Sequence, residues 1–147
     1  MMRLNNKGQS LVTFILVLPI LLGIIALVVD LGNALNKKSE IDNVIEFVLS
    51  YQLDNKIDIV ESVNSDIDAE NEYLEVKTEE ESIKLLLDYN LKTSDNKVTI
   101  EDKKITILSQ TYVEGIFSNI LNIKGFKIES EYKGYIKNQE QVIEKIK

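Results

Sequence analysis

The sequence predicts a single-pass membrane protein of the α+β class, with a long N-terminal transmembrane helix followed by a small domain that carries a short antiparallel sheet. Three observations predict it. Nineteen uncharged residues, Leu11 to Val29, form an aliphatic run interrupted only by Thr13, Pro19 and Gly23. At about 1.5 Å per residue this run is roughly 28 Å long, close to the ~30 Å hydrocarbon core of a bilayer, and it has no polar stripe of the kind a soluble core helix shows. Beyond it the apolar period continues without a break. Near the C-terminal end, strict alternation replaces helical spacing.

No second apolar run approaches spanning length, so one pass is expected, and about 115 residues remain for one small domain. Arg3 and Lys7 precede the run with no acid, whereas Asp30, Lys37, Lys38, Glu40 and Asp42 follow it. The excess of basic residues before the span places the N-terminus in the cytoplasm and the C-terminal domain outside, although Lys37 and Lys38 weaken that bias. The chain has no cysteine. Disulfides, thiol nucleophiles, lipid-modified cysteines and thiolate metal sites are therefore excluded, and the outer domain must be held by packing alone.

Leu27, Leu31, Ala34, Lys38, Ile41, Ile45 and Val48 follow a 4-3-4-3-4-3 spacing, the seam of a helix packed lengthwise on others. Lys38 is its one misfit. A helix from Gln9 to Leu53 is expected, roughly 68 Å long if unbroken. Its outer half serves either as an assembly seam or as the core helix of the outer domain. Pro19 lacks an N–H and crowds the carbonyl of Ile15, so a local kink is expected there.

The net charge of −7 is unevenly placed: Asp54 to Glu81 holds eleven acids against Lys56 and Lys77, and so carries −9. Residues 54–77 read as an acidic, solvated connector. Such a surface repels nucleic acid and anionic lipid headgroups. Within it, Asn64 to Glu75 sets oxygens at loop positions 1, 3, 5, 7, 9 and 12 of a calcium loop, making Asp66, Asp68, Glu70 and Glu75 weak calcium candidates. Asn64 replaces the usual first Asp, and Ala69 stands where the sharp turn requires Gly, so solvated acid is the preferred reading and no metal is expected.

Residues 78–147 form the outer domain. Thr78-x-x-Glu81 has the form of a capping box, and Ile83, Leu86, Leu87 and Leu91 mark one face of a short helix after it. Val98-x-Ile100 and Ile105-x-Ile107 flank Glu101-Asp102-Lys103-Lys104, which reads as a hairpin. Val113 to Leu121 reads as a short helical excursion. Phe126, Ile128, Ser130, Tyr132, Gly134 and Ile136 alternate with polar or exposed partners as a strand with one dry face, on which Ser130 and Gly134 leave gaps. The tail from Gln139 reads as a frayed amphipathic turn or two.

Lys7-Gly8-Gln9-Ser10-Leu11-Val12-Thr13-Phe14, then Leu18-Pro19, then Asp30-Leu31-Gly32 and a helix through Ile41-Asp42-Asn43, resembles the TadE-like family of pilus-assembly proteins, the single-pass pseudopilins of tight-adherence pilus systems. The resemblance covers residues 3–53 closely, and its specific parts are Lys-Gly-Gln-Ser and the Asp-x-Gly after the span. From Ile105 to Ile136 it is a likeness in kind only. It implies a pilin-like outer domain, other pilin-like subunits or assembly proteins as partners, and lateral contacts through Thr13, Phe14, Pro19, Leu31, Ile41 and Ile45. It also implies that a prepilin-type peptidase removes residues 1–8 as a cytoplasmic leader, cutting between Gly8 and Gln9. Gly8 is alternatively a plain loop residue.

One departure from the family pattern bears on assembly. Pilin-like chains usually carry Glu at the fifth mature position, and here that position is Thr13. A carboxylate in lipid needs a partner, whereas a threonine hydroxyl bonds back to a carbonyl one turn earlier. The change implies weak assembly, an initiating or capping subunit, or a membrane accessory. A competing reading is a cleaved signal peptide ending at Gly32-Asn33-Ala34, although the apolar run exceeds the usual 7–15 residues.

With no histidine and no cysteine, catalysis is left with crowded, hydrated carboxylates or a Ser–Lys couple, and no phosphate-cradling glycine loop is present. No enzyme activity and no cofactor are expected. The expected function is a structural one, as a pseudopilin or minor pilin. The alternative is a membrane-tethered extracytoplasmic binding module that does not polymerise.

Overall fold

The computed structural model describes residues 6–55, 68–89, 91, 95–118 and 122–147. Helix α1 runs Asn6–Asn55 and α2 runs Asp68–Asp88; the strands are β1 Asp95–Glu101, β2 Lys104–Val113, β3 Phe126–Lys137 and β4 Glu140–Lys145. The strands lie in one sheet in the order β1-β2-β3-β4, a meander, with β1/β2 and β3/β4 antiparallel. Asp102 and Lys103 join β1 to β2, and Asn138 and Gln139 join β3 to β4, all four with positive φ. Two-residue turns of that hand match the twist of the strands they connect. The chain divides into two compact units: α1 as far as Leu35 with Val113–Phe126, and Asn36–Tyr112 with Lys127–Lys147. Helix α1 thus contributes residues to both units, and a late segment belongs with the first.

In the larger unit the outer half of α1 covers the sheet. Ile41, Ile45, Val48, Leu49 and Leu53 are buried, together with Leu86, Leu91, Ile107 and, on β3, Ile128, Ser130 and Tyr132. The two gaps on β3 are filled from the helix. A Cβ on Gly134 would sit 3.1 Å from Leu49 Cδ2 and 3.2 Å from Leu53 Cδ1, so the missing side chain is what lets the two leucines reach the sheet. At Ser130 the occupant is polar: Lys38 Nζ donates to the Glu129 carbonyl at 2.6 Å and to Ser130 Oγ at 3.3 Å. The misfit of the apolar seam is thus a lysine whose stem packs while its ammonium is held on β3 by two hydrogen bonds.

The same packing corrects the assembly-seam reading of Ile41 and Ile45. Both are 0 % exposed. They are core side chains of this chain and present nothing to a neighbour, because a seven-residue period is the same whether a helix packs on its own sheet or on another subunit.

Three further expectations give way. Helix α2 begins at Asp68, so the acidic stretch is helical from that point and Thr78 lies inside the helix instead of capping it. No glycine or proline occurs from Asp68 to Asp88, and glutamate, leucine and lysine are good helix formers. Buried Ser82 is satisfied in place, its Oγ donating to the Thr78 carbonyl at 2.7 Å. Helix α2 also guards the sheet edge, where the Ile100 N–H donates to Glu79 Oε1 at 3.3 Å. Among the described residues of 113–121 there is no α-helix: Val113 ends β2 and a tight turn follows. The tail is strand β4. It is tied back to α1 by Ser50 Oγ on Gln141 Oε1 at 3.3 Å and by ion pairing of Lys145 with Asp42.

Two ion pairs of this unit set a pH dependence. Lys147, whose Nζ lies 3.1 Å from Glu129 Oε1, holds that carboxyl below the ordinary glutamate range. Burial pushes Asp42 up, but the Lys145 ammonium more than offsets it, leaving Asp42 low. Lys145 and Lys147 are raised by the same partners. The carboxylate contributions are complete above the unfolded values of about 4 and vanish as pH falls through the lower folded values. The lysine contributions are complete below about 10.4 and vanish as pH rises through the higher folded values. Thermal melts followed by circular dichroism are therefore expected to show a plateau between about pH 5 and 10 with a fall on both sides, and Asp42→Asn to flatten the acid limb.

Candidate functional site

The smaller unit holds the features that do not serve the sheet. Its helix presents Leu11 to Leu22 entirely to the surroundings, and no residue of Leu11–Val29 is buried. Apolar residues at this density are normally hidden, and a contiguous exposed surface of this size marks an interaction surface or a lipid-facing one. One apolar helix near the N-terminus, long enough to cross a membrane, is thus present. Helix α1 continues through Pro19.

Immediately after the run, Asp30 is 1 % exposed. Its carboxylate accepts from three successive backbone amides: Ile116 N–H to Oδ1 at 3.0 Å, Phe117 N–H to Oδ2 at 2.9 Å and Ser118 N–H to Oδ2 at 2.5 Å. Successive amides aimed at one point form an anion-binding concavity, and a carboxylate placed there makes charge-assisted hydrogen bonds stronger than neutral ones. The turn is closed further along by Ile123 N–H donating to the Ser118 carbonyl at 3.0 Å.

Two glycines make the geometry possible. A Cβ on Gly115 would fall 1.7 Å from Ser118 Oγ and 2.6 Å from Asp30 Oδ2. At Gly125, φ is +124° and a Cβ would meet the Val113 carbonyl oxygen at 2.6 Å. By contrast, Gly32 has nothing within 4 Å of its would-be Cβ. Gly115→Ala is accordingly expected to weaken the turn by about 1–3 kcal/mol, read as faster hydrogen exchange at the Ile116 and Phe117 amides, while Gly32→Ala leaves those amides unchanged.

Phe117 closes a groove of about 520 Å³ whose other walls are Pro19, Leu22, Gly23, Ile25, Ala26 and Val29. Ile116, Phe117 and Ile123 are 71 %, 40 % and 41 % exposed. Apolar side chains thus face outward around a backbone whose amides are satisfied inward.

The sequence-predicted residues fall as follows. Gly8 and Gln9 lie in the first turn of α1, not ahead of it, since the helix begins at Asn6. First-turn amides have no intrahelical partner, so this is the easiest part of the helix to unwind. Thr13, Phe14, Pro19 and Leu31 are all exposed. Asp66 and the rest of 56–67 lie outside the described residues. Asp68, Glu70 and Glu75 fall on α2, so the later part of the candidate calcium loop is helical, and its first part lies outside the described residues. Sequence reasoning picked out Asp30-x-Gly32 but missed Gly115, Phe117 and the turn that Asp30 holds. It also missed Phe47, Tyr51 and Tyr89, an exposed aromatic cluster in the larger unit with ring centroids 6.3 Å apart for Phe47–Tyr51 and 5.0 Å for Phe47–Tyr89. No family model, curated protein or solved structure matches the chain.

Proposed function

We propose that this chain is a TadE-like pseudopilin or minor pilin, a structural subunit of an envelope pilus or secretion assembly, anchored by Leu11–Val29 with its N-terminus in the cytoplasm and its sheet-bearing unit outside. The observation that carries the reading is Lys7-Gly8-Gln9-Ser10 set directly against an apolar helix of spanning length whose side chains stay uncovered. Phe14 and Leu31 are exposed, at 63 % and 47 %, and so free to meet a second apolar helix. Prepilin-type peptidase, membrane lipid and other pilin-like subunits are the proposed partners, and the role is non-catalytic.

The test is the intact mass of the native protein together with its fractionation. A chain beginning at Gln9, found with pilus or assembly components and lost on Gly8→Arg, supports the proposal. A full-length chain distributed independently of those components contradicts it.

The second reading, a tethered binding module that never polymerises, is favoured by the exposed Phe47–Tyr51–Tyr89 cluster. Because the chain lacks cysteine, Leu31→Cys isolates one thiol for cross-linking. Dimers trapped in native membranes favour the pilin reading, and monomers throughout favour the module.

A further inference from the structure

We infer that the turn around Phe117 is a second membrane-seating element, which lays Ile116, Phe117 and Ile123 among lipid acyl chains beside the span. The inference rests on the reading of Leu11–Val29 as a lipid-embedded helix. Three observations carry it, all within the smaller unit.

The first is position. Phe117 shares its groove with Pro19, Leu22, Gly23, Ile25, Ala26 and Val29, every one a residue of the apolar run. The groove lies along the last part of the apolar run, so whatever solvates that stretch of helix also reaches the phenyl ring. The second is exposure. Among the described residues Ile116 is the most exposed large apolar one, at 71 %, and Ile123 adds a further apolar face at 41 %. In water these positions would favour polar residues.

The third is backbone chemistry. Non-helical backbone beside hydrocarbon is tolerated only where the protein itself covers and satisfies it, so apolar side chains can reach lipid while the backbone stays turned inward. The amides of Ile116, Phe117 and Ser118 are all taken by the buried Asp30 carboxylate. Asp30 lies at the end of the run, where a carboxylate fully engaged by amides is tolerated at the interface. The occupant of the groove and of the outward apolar face is therefore lipid acyl chain, continuous with the lipid around the helix.

The absence of tryptophan from the chain makes the test clean. Full-length Phe117→Trp and Ile116→Trp are reconstituted in phosphatidylcholine vesicles whose acyl chains carry bromine, a short-range quencher. Leu22→Trp reports the span, and Tyr135→Trp reports the sheet. The expected result is blue-shifted emission and loss of intensity at position 117, 116 or both, comparable with Leu22→Trp, and none at Tyr135→Trp. Quenching at Leu22→Trp with unquenched, red-shifted emission at both 116 and 117 overturns the inference and leaves the anchor intact. No quenching at Leu22→Trp overturns both. Equal quenching at all four positions also overturns it, because the seating would then not be particular to this turn.

Discussion

Ile45→Asp is expected to unfold the sheet-bearing unit. The side chain is 0 % exposed on the face of α1 that covers the sheet, among Ile41, Val48, Leu49 and Leu53. An aspartate there loses the isoleucine's burial and leaves a charge with no partner, together worth about 3–5 kcal/mol or more. Domains of this size have only about 5–15 kcal/mol in total, so the substitution removes a large part of the unit's stability, and at the lower end of that range most of its native population. Denaturant melts of the detergent-solubilised chain check it, with Ile45→Val as the companion, expected to cost only about 1 kcal/mol. The experiment also separates two meanings of the apolar seam. If Ile45 were an intersubunit contact, Ile45→Asp would leave the monomer's melt unchanged and abolish assembly alone. Loss of assembly accompanied by unfolding is the expected outcome.

Asp30→Ala is expected to release the turn it holds without unfolding the sheet. Three amides lose their acceptor at once. Hydrogen bonds to a charged group contribute about 1.5–3 kcal/mol each, and water reclaims part of that once the turn opens, so a net loss of about 3 kcal/mol is expected at this site. Hydrogen exchange at the Ile116, Phe117 and Ser118 amides should accelerate by about a hundredfold, which corresponds to that energy. Asp30→Asn keeps one acceptor oxygen but turns an amino group toward the turn, so it should fall between the wild type and Asp30→Ala. The denaturant midpoint of the larger unit, which contains none of these residues, should not move.

What the sequence disclosed follows from how local each signal is. The apolar run, the Glu101–Lys104 turn and the alternation from Phe126 were readable because composition and period-two spacing are properties of neighbouring residues. Helix α2 was hidden from Asp68 to Lys77 because its acid load resembles a solvated linker, and the apolar period becomes clear only from Ile83. Strand β4 has just Val142 and Ile143 as apolar residues, and its Asn138-Gln139 turn lacks the glycine that usually announces a hairpin. The role of Ile41 and Ile45 was undecidable from spacing, since periodicity reports that a face is buried and not what buries it. Least readable was the Asp30 turn, whose partners lie 86 to 88 residues away in sequence. The Asp-x-Gly after the span flagged the right aspartate but the wrong glycine: Gly32 is open, and Gly115 makes the room.

The central claim is that Leu11–Val29 holds the chain in a bilayer, and alkaline carbonate extraction of membranes from cells making the full chain tests it most directly. Treatment at high pH strips peripheral proteins and leaves chains that cross the hydrocarbon core in place. The expected result is recovery of the protein, apolar run included, in the membrane pellet. Recovery in the supernatant, or as a soluble polypeptide beginning at Leu35, would contradict the account.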